Sequence, residues 1–261
     1  MDAIVHLAGK AHDTKNTSEA QVYFDVNTGL TQKIFDYFLQ SDARTFIFFS
    51  SVKAAADSVP GDVLTEDVVP SPVGPYGESK IRAEEYILNK LSAVSDQLLD
   101  KRVYILRPCM IHGHGNKGNL NLLYSVVKKG IPWPLGAYEN RRSFCSIENI
   151  SYVVEQLIVK VSIESGIYHV GDDEPLSTNE LIKLIGESVG RRSHIWQLPK
   201  GFMNGAAAIG GALKLPLNKE RLRKLTENYV VSNAKIKQAL GIDKMPVSAE
   251  EGMRKTLDSF R

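Results

Sequence analysis

RTFIFFSS, from Arg44 to Ser51, decides the fold. Thr45 to Phe49 is a short apolar run without polar alternation, which reads as a strand buried on both faces. It ends in two hydroxyls, Ser50 and Ser51. Upstream, AIVHLAG (residues 3–9) is a similar run that ends in glycine, and downstream RVYILRP (102–108) is a third, stopped by Pro108. Between the first two runs lies EAQVYFDVNTGLTQKIFDYFLQ. Its apolar residues Val26, Leu30, Ile34, Phe35 and Phe38 recur at helical intervals. Between the second and third, the prolines of TEDVVPSPVGP mark a loop. From Tyr76 to about Leu91 the chain is predicted helical, with Glu84 and Glu85 on the solvent face. Strand alternating with helix implies parallel strands joined by right-handed crossovers, an α/β fold.

The second half is more mixed. A helix is expected near Leu120 to Lys129, another over NISYVVEQLIVKV (149–161), and a strand at GIYHVGD (166–172). STNELIKLIGESVG (177–190) reads as a helix with Ser177 or Thr178 as its N-cap. SHIWQLP (193–199) reads as a strand, and GFMNGAAAIGGALKL (201–215) as a packed helix rich in small residues.

Composition narrows the partners. The 261 residues are 43% hydrophobic and 24% charged, with a formal net charge of +2, which is ordinary for a globular protein. Nothing there points to nucleic acid or an acidic membrane surface. Cys109 and Cys145 are too few for a disulfide framework and lack metal-ligand spacing, so buried free thiols and no metal are expected. No signal peptide or membrane span is legible, and a cytoplasmic protein is expected.

Three tyrosine–lysine pairs share one spacing: Tyr76/Lys80, Tyr86/Lys90 and Tyr124/Lys128. Any helix brings i and i+4 onto one face, so spacing alone selects none of them. In a parallel sheet, ligands sit beyond the carboxyl ends of the strands. Ser50 and Ser51 fall at such an end, and Tyr76 opens the helix that leads to the next strand. Tyr86 lies further along, away from that rim. A phenol has an ordinary pKa of about 10. A neighbouring ammonium favours its phenolate, so Lys80 is expected to lower Tyr76 toward neutrality. Such a tyrosine can exchange a proton with a carbinol oxygen, which Ser51 would hold.

The motifs together resemble the extended short-chain dehydrogenase/reductases, also called NAD-dependent epimerase/dehydratases. The resemblance spans nearly the whole chain. It rests on IVHLAG, VNTGLTQKIFDYF, FIFFSSVK, PYGESKIRAEE and LRPCMIHGHG, in that order. RPCMIHGHGNKGNLNLL and KKGIPWPLGAYENRRSFCSIENI are similar to bacterial 4-ketoreductases of UDP-4-keto-6-deoxy-N-acetylhexosamines. The 4-epimerases share most of these features. The resemblance implies a Rossmann-like parallel sheet over residues 1–108, with 143–171 crossing back to it. It also implies a smaller, mostly helical substrate lobe over 109–142 and 172–261. NAD or NADP would be the cofactor and a UDP-sugar the substrate. A homodimer is one of the assemblies it allows.

Residue by residue, the resemblance implies that Tyr76, Lys80 and Ser51 are catalytic. Ala8, Gly9, Asn27, Ser50, Arg107 and Pro108 would contact the cofactor along with Tyr76 and Lys80. Asn119 and Arg142 would meet the UDP diphosphate, since a guanidinium fits phosphate bidentately. Lys53, just beyond Ser51, would touch substrate. His112 and His114 are read as loop packing. Gly113, Gly115 and Gly118 fit G-x-G-x-x-G literally, but not in the turn directly after the first strand, where the pattern binds a dinucleotide.

One departure stands out. No glycine fingerprint precedes IVHLAG in this sequence. That turn and its helix N-terminus ordinarily hold the pyrophosphate. The expectation is therefore weak dinucleotide binding, with UDP recognition retained, and an uncovered sheet edge. An inactive nucleotide-sugar-binding module is the non-enzyme alternative.

Overall fold

The computed structural model describes residues 2–11, 19–93, 100–116, 118–212 and 218–260. In the first half, β1 (Ala3–His6) leads to α1 (Ala20–Tyr23), a π-helical turn (Phe24–Gly29) and α2 (Leu30–Gln40). Then come β2 (Thr45–Phe49), α3 (Val52–Ala55), α4 (Gly74–Ala93) and β3 (Arg102–Pro108). In the second half, β4 (Met110–His112), α5 (Asn119–Lys128), β5 (Phe144–Ser146), α6 (Ile147–Val159) and β6 (Gly166–Val170) precede five helices. These are α7 (Thr178–Ser188), α8 (Lys200–Ala212), α9 (Lys219–Thr226), α10 (Ala234–Leu240) and α11 (Ala249–Asp258).

The main sheet is parallel, in the order β1-β2-β3-β6. Val5 lies opposite Ile47, Ile47 opposite Tyr104, and Leu106 opposite Tyr168. Alternate side chains feed two cores, which explains the unbroken apolar runs. Ile47, Tyr104, Leu106, Tyr168 and Val170 face Ile150, Val153 and Leu157 of α6. Phe46, Phe48, Val103 and Ile105 face Phe35 and Phe38 of α2 and Ala83 and Ile87 of α4. Each such buried side chain contributes roughly 1.5–3 kcal/mol. Among the described residues β1 has a strand partner on one side only.

A separate core lies beyond the sheet. Leu120 and Tyr124 of α5 meet Phe144, Ile182 and Ile185 of α7, and Met253 and Leu257 of α11. Ser177 caps α7 in a full capping box with Glu180. SHIWQLP is not a strand: only isolated bridges join Ile195 to Trp133 and Gln197 to Leu135. In α8 one stripe is buried, including Met203 and Ala207, while Phe202 and Ile209 stay exposed. Residues 213–215 of the predicted small-residue helix lie outside the described residues.

His112 sits on β4 rather than in a loop. Its ring is buried, with Nδ1 2.8 Å from Thr256 Oγ1 and Nε2 3.4 Å from Asp172 Oδ2. Asp172 also accepts from Ser146 and Asn149, so this network ties α11 to β5 and α6. No helix among the described residues is long and apolar enough to cross a membrane.

Two local differences from the sequence reading bear on the site. The helix over 19–40 contains a π-helical turn, a feature frequent at functional sites. It carries Asn27, which is fully buried. The second difference is Glu84. Expected on the wet face, it is fully buried, because the inward stripe of α4 runs Lys80, Ala83, Glu84, Ile87. The neighbouring Glu85 does face solvent.

Candidate active site

Ser51, Tyr76 and Lys80 come together at the carboxyl end of β2. Ser51 lies two residues past the end of β2 and N-caps α3, accepting the Lys53 N–H at 3.2 Å. Tyr76 stands in the first turn of α4, half-buried, with its phenol hydrogen-bonded to Ser51. Gly77 makes this approach feasible: a Cβ there would stand 2.5 Å from the Lys53 carbonyl oxygen. Any larger residue would push α4 away from α3, and Tyr76 away from Ser51. Sequence reasoning missed Gly77, although its place beside Tyr76 was a signal.

Lys80 lies one turn further and is only 4% exposed. Its ammonium donates to the Phe49 carbonyl at 2.8 Å and stands 4.9 Å over the Phe48 ring. Burial pulls its pKa down to about 8, with the Glu84 carboxylate acting in the opposite direction. For Tyr76 the expected direction is reversed. Burial raises the phenol above its ordinary value, and the bond to Ser51 opposes that rise. Desolvation outweighs that bond because the phenolate would have to form with little water around it. His6, on β1, is pushed down to about 4 by burial and by the Lys80 charge, so it stands neutral beside the ammonium. Its Nε2 lies 2.9 Å from Thr31 Oγ1.

Ala8 and Gly9 are exposed just past β1. A Cβ on Gly9 would lie 3.0 Å from Lys80 Nζ and 3.1 Å from Asn27 Oδ1. That bare backbone leaves a cradle over the ammonium, which suits close approach of a ribose or nicotinamide. The residues present therefore fit the nicotinamide end of a dinucleotide. No glycine turn for a pyrophosphate follows β1 among the described residues.

Asn27 is engaged within the protein. Its Oδ1 accepts the Lys10 N–H at 2.7 Å, and its Nδ2 donates to Lys10 O at 3.0 Å and Ser79 Oγ at 2.9 Å. Ser79 in turn donates to the Tyr76 carbonyl at 2.9 Å. Both amide hydrogens are thus used in fastening the loop after β1 to α4. Ser50 and Arg107 are also bonded within the protein. The Ser50 hydroxyl bonds Glu84, and Arg107, 2% exposed, forms a bidentate ion pair with that carboxylate at 2.6–3.1 Å. Pro108 is buried at the end of β3, opposite Val170.

A cationic cluster lies beside α3. Lys53 donates to Asp57 O at 2.7 Å and Oδ1 at 3.3 Å, and stands 4.2 Å over the Tyr229 ring. Burial lowers its pKa; Asp57 opposes that, and the charge of Arg142 adds to it. Arg142 donates to Lys224 O at 2.6 Å and is likewise lowered by burial, with Glu227 opposing. Lys53 and Arg142 therefore share one electrostatic neighbourhood. Arg223 joins it, 3.6 Å from Asp57. Asn119 is exposed at the start of α5, and no hydrogen bond or ion pair joins it to Lys53 or Arg142 among the described residues.

The alternative motifs have other partners. Tyr86 donates to Asp36 at 2.7 Å, and Lys90 pairs with the same carboxylate at 3.6 Å. Tyr124 packs edge-on against Phe260 at 5.1 Å. Gly113 of the G-x-G-x-x-G match lies against Ile147, where a Cβ would come within 2.6 Å. Cys109 and Cys145 are buried free thiols whose pKa burial raises.

The chain is similar to several known proteins. A UDP-glucose 4-epimerase of Vibrio cholerae is 30% identical over 262 residues, covering 98% of this chain and 76% of that relative. An N-acetyl-alpha-D-glucosaminyl-diphospho-ditrans,octacis-undecaprenol 4-epimerase of Escherichia coli O157:H7 is 25% identical, covering 91% of this chain and 67% of the relative. The Thermus thermophilus UDP-glucose 4-epimerase, solved in complex with NAD, superposes with a TM-score of 0.72 at 21% identity. That match covers 99% of this chain and 77% of the other. The family model described as NAD dependent epimerase/dehydratase matches residues 1–171, from β1 through β6 and so across the whole parallel sheet. By that match and by the Vibrio relative, the chain belongs to the NAD dependent epimerase/dehydratase family.

Proposed function

We propose that the chain acts on a nucleotide sugar, exchanging a proton with a sugar oxygen as hydride moves at the same carbon. The meeting of Ser51, Tyr76 and Lys80 at the carboxyl end of β2, in a member of this family, carries the reading. Tyr76 gives the proton to, or takes it from, the oxygen, and Ser51 bonds that same oxygen. Lys80 holds the ribose hydroxyls beneath the Gly9 cradle. Lys53 and Arg142 place two cations where a diphosphate would neutralise their mutual repulsion. NAD or NADP, when bound, supplies or accepts the hydride.

Two finer readings share this site. C4 epimerisation of a UDP-sugar is favoured by the relatives, two of which are named as 4-epimerases. Reduction of a UDP-4-keto-6-deoxy-N-acetylhexosamine is favoured by Tyr76, whose raised pKa keeps the phenol protonated and ready to donate to a ketone oxygen. One assay separates them. The chain is mixed with UDP-glucose, UDP-N-acetylglucosamine or a 4-keto UDP-sugar, and the reduced nicotinamide is followed by absorbance. Reduction consumes NADH or NADPH one-for-one with ketone; epimerisation converts the sugar with no net consumption. UDP-sugar binding at saturating dinucleotide with no conversion of any of the three would overturn both, and would leave a binding module.

A further inference from the structure

Glu84 and Arg107 form a buried ion pair that the proton-transfer chemistry does not use directly. The carboxylate and guanidinium are 0% and 2% exposed. Arg107 Nε lies 3.0 and 3.1 Å from the two carboxylate oxygens, and Nη2 lies 2.6 Å from Oε2. The Ser50 hydroxyl donates to the remaining side of the carboxylate. The Ser50 N–H also donates to Leu106 O at 2.8 Å, one residue before Arg107. The end of β2, the end of β3 and the middle of α4 are thus joined at one point. That point is one residue from Ser51 and one helical turn from Lys80.

Stability does not explain such a feature. Desolvating two charges offsets most of their attraction, and apolar side chains of the same volume commonly stabilise as well. Position explains it better. Glu84 lies one helical turn from Lys80 on the buried stripe of α4, and its charge opposes the effect of burial there. The guanidinium end faces β6, where Arg107 lies opposite His169 and helps to hold that ring neutral. The pair thereby fixes the carboxylate one helical turn from Lys80, on the same buried stripe of α4.

We infer that Ser50, Glu84 and Arg107 are positioning residues for Lys80: they lock the end of β2, whose Phe49 carbonyl its ammonium bonds, and fix a carboxylate one helical turn away. This rests on the proposed role of Lys80 only for its functional meaning; the arrangement itself can be tested without turnover. Among the described residues, neutral His6 on β1, the Phe48 ring and Phe49 carbonyl at the end of β2, and the uncharged Asn27 amide on the π-helical turn also surround Lys80. Among these groups Glu84 is the one carboxylate.

The test is an NMR titration of the Lys80 side-chain nitrogen in the full chain, labelled at lysine. In the wild-type protein the midpoint should lie near 8. Glu84→Gln should move it down by about one to three units, because the opposing charge is gone and Arg107 is left uncompensated. Glu84→Asp should restore most of the midpoint. Because Glu84→Gln strands a buried guanidinium and can unfold the protein, the Glu84→Gln/Arg107→Met double variant removes both charges. It should fold and still show a lowered Lys80 midpoint. Lys90, on the exposed part of the same helix, should titrate unchanged in every variant. A folded double variant with an unmoved Lys80 midpoint would overturn the inference. Loss of turnover on Tyr76→Phe is independent of this result, so failure here and failure of the functional reading are distinguishable.

Discussion

Two ends of α4 carry the same four-residue spacing and behave oppositely. At its start, Tyr76 bonds Ser51, and Lys80 is buried with its ammonium on a backbone carbonyl. Two to three turns later, Tyr86 and Lys90 share the Asp36 carboxylate, and the Lys90 side chain is 44% exposed. Burial lowers Lys80 to about 8, whereas the partners of Lys90 raise it. A shared helical face supplies proximity to both pairs. Desolvation and the strand end beside it separate a candidate proton-transfer pair from a surface ion pair.

The sharpest way to break this contrast is to remove each phenol. Tyr76→Phe should cost about 10²–10⁴ in turnover. Tyr86→Phe should change turnover by no more than about twofold, as a surface substitution does. Steady-state rates on one sugar substrate check both, and equal losses would mean that the wrong end of α4 was chosen.

The next effect concerns buried neutral histidines near the active end. His6 and His169 are 3% and 0% exposed, and both are held near 4 in the folded protein against an ordinary 6.5. Their folded pKa is the lower one, so the stability they allow is present above 6.5 and is lost as pH falls from 6.5 toward 4. Each should account for about 3 kcal/mol of that loss when fully titrated. His169→Leu should flatten the fall in stability between neutral pH and pH 4, measured by urea unfolding. An unchanged slope would show that His169 is protonated without penalty.

Ligand binding gives a smaller effect. Arg142→Ala should weaken UDP binding by about 1.5–3 kcal/mol, the range for a charge-assisted hydrogen bond, measured by calorimetry. Unchanged affinity would return Arg142 to its role as a partner of the Lys224 carbonyl. The smallest effect is expected at the far end of α4. Lys90→Ala should leave both turnover and the urea midpoint where they were, because its ion pair lies in solvent.

Much of the frame was legible from pattern. The runs at residues 3–9, 44–51, 102–108 and 166–172 became β1, β2, β3 and β6, because side chains on both faces of a parallel strand must be apolar. Ser177 as a cap followed from the same local logic. SHIWQLP misled because short apolar runs occur in irregular segments as readily as in strands. Glu84 misled because its charge was given more weight than its place on the stripe with Ala83 and Ile87. A helical register applied strictly from Lys80 would have turned it inward.

The sequence by itself determined the alternation of strand and helix, the parallel sheet and the three candidate tyrosine–lysine pairs. These depend on periodicity and on the residue types that tolerate burial, and both are local properties. Only the tertiary structure decided which internal partners Asn27, Ser50 and Arg107 take. Their partners, Lys10, Ser79 and Glu84, lie between 17 and 52 residues away for those bonds. The direction of the Tyr76 shift was decided there as well. The i, i+4 spacing suggested a shift down, but the sign depends on how much water the packed chain leaves around the phenol.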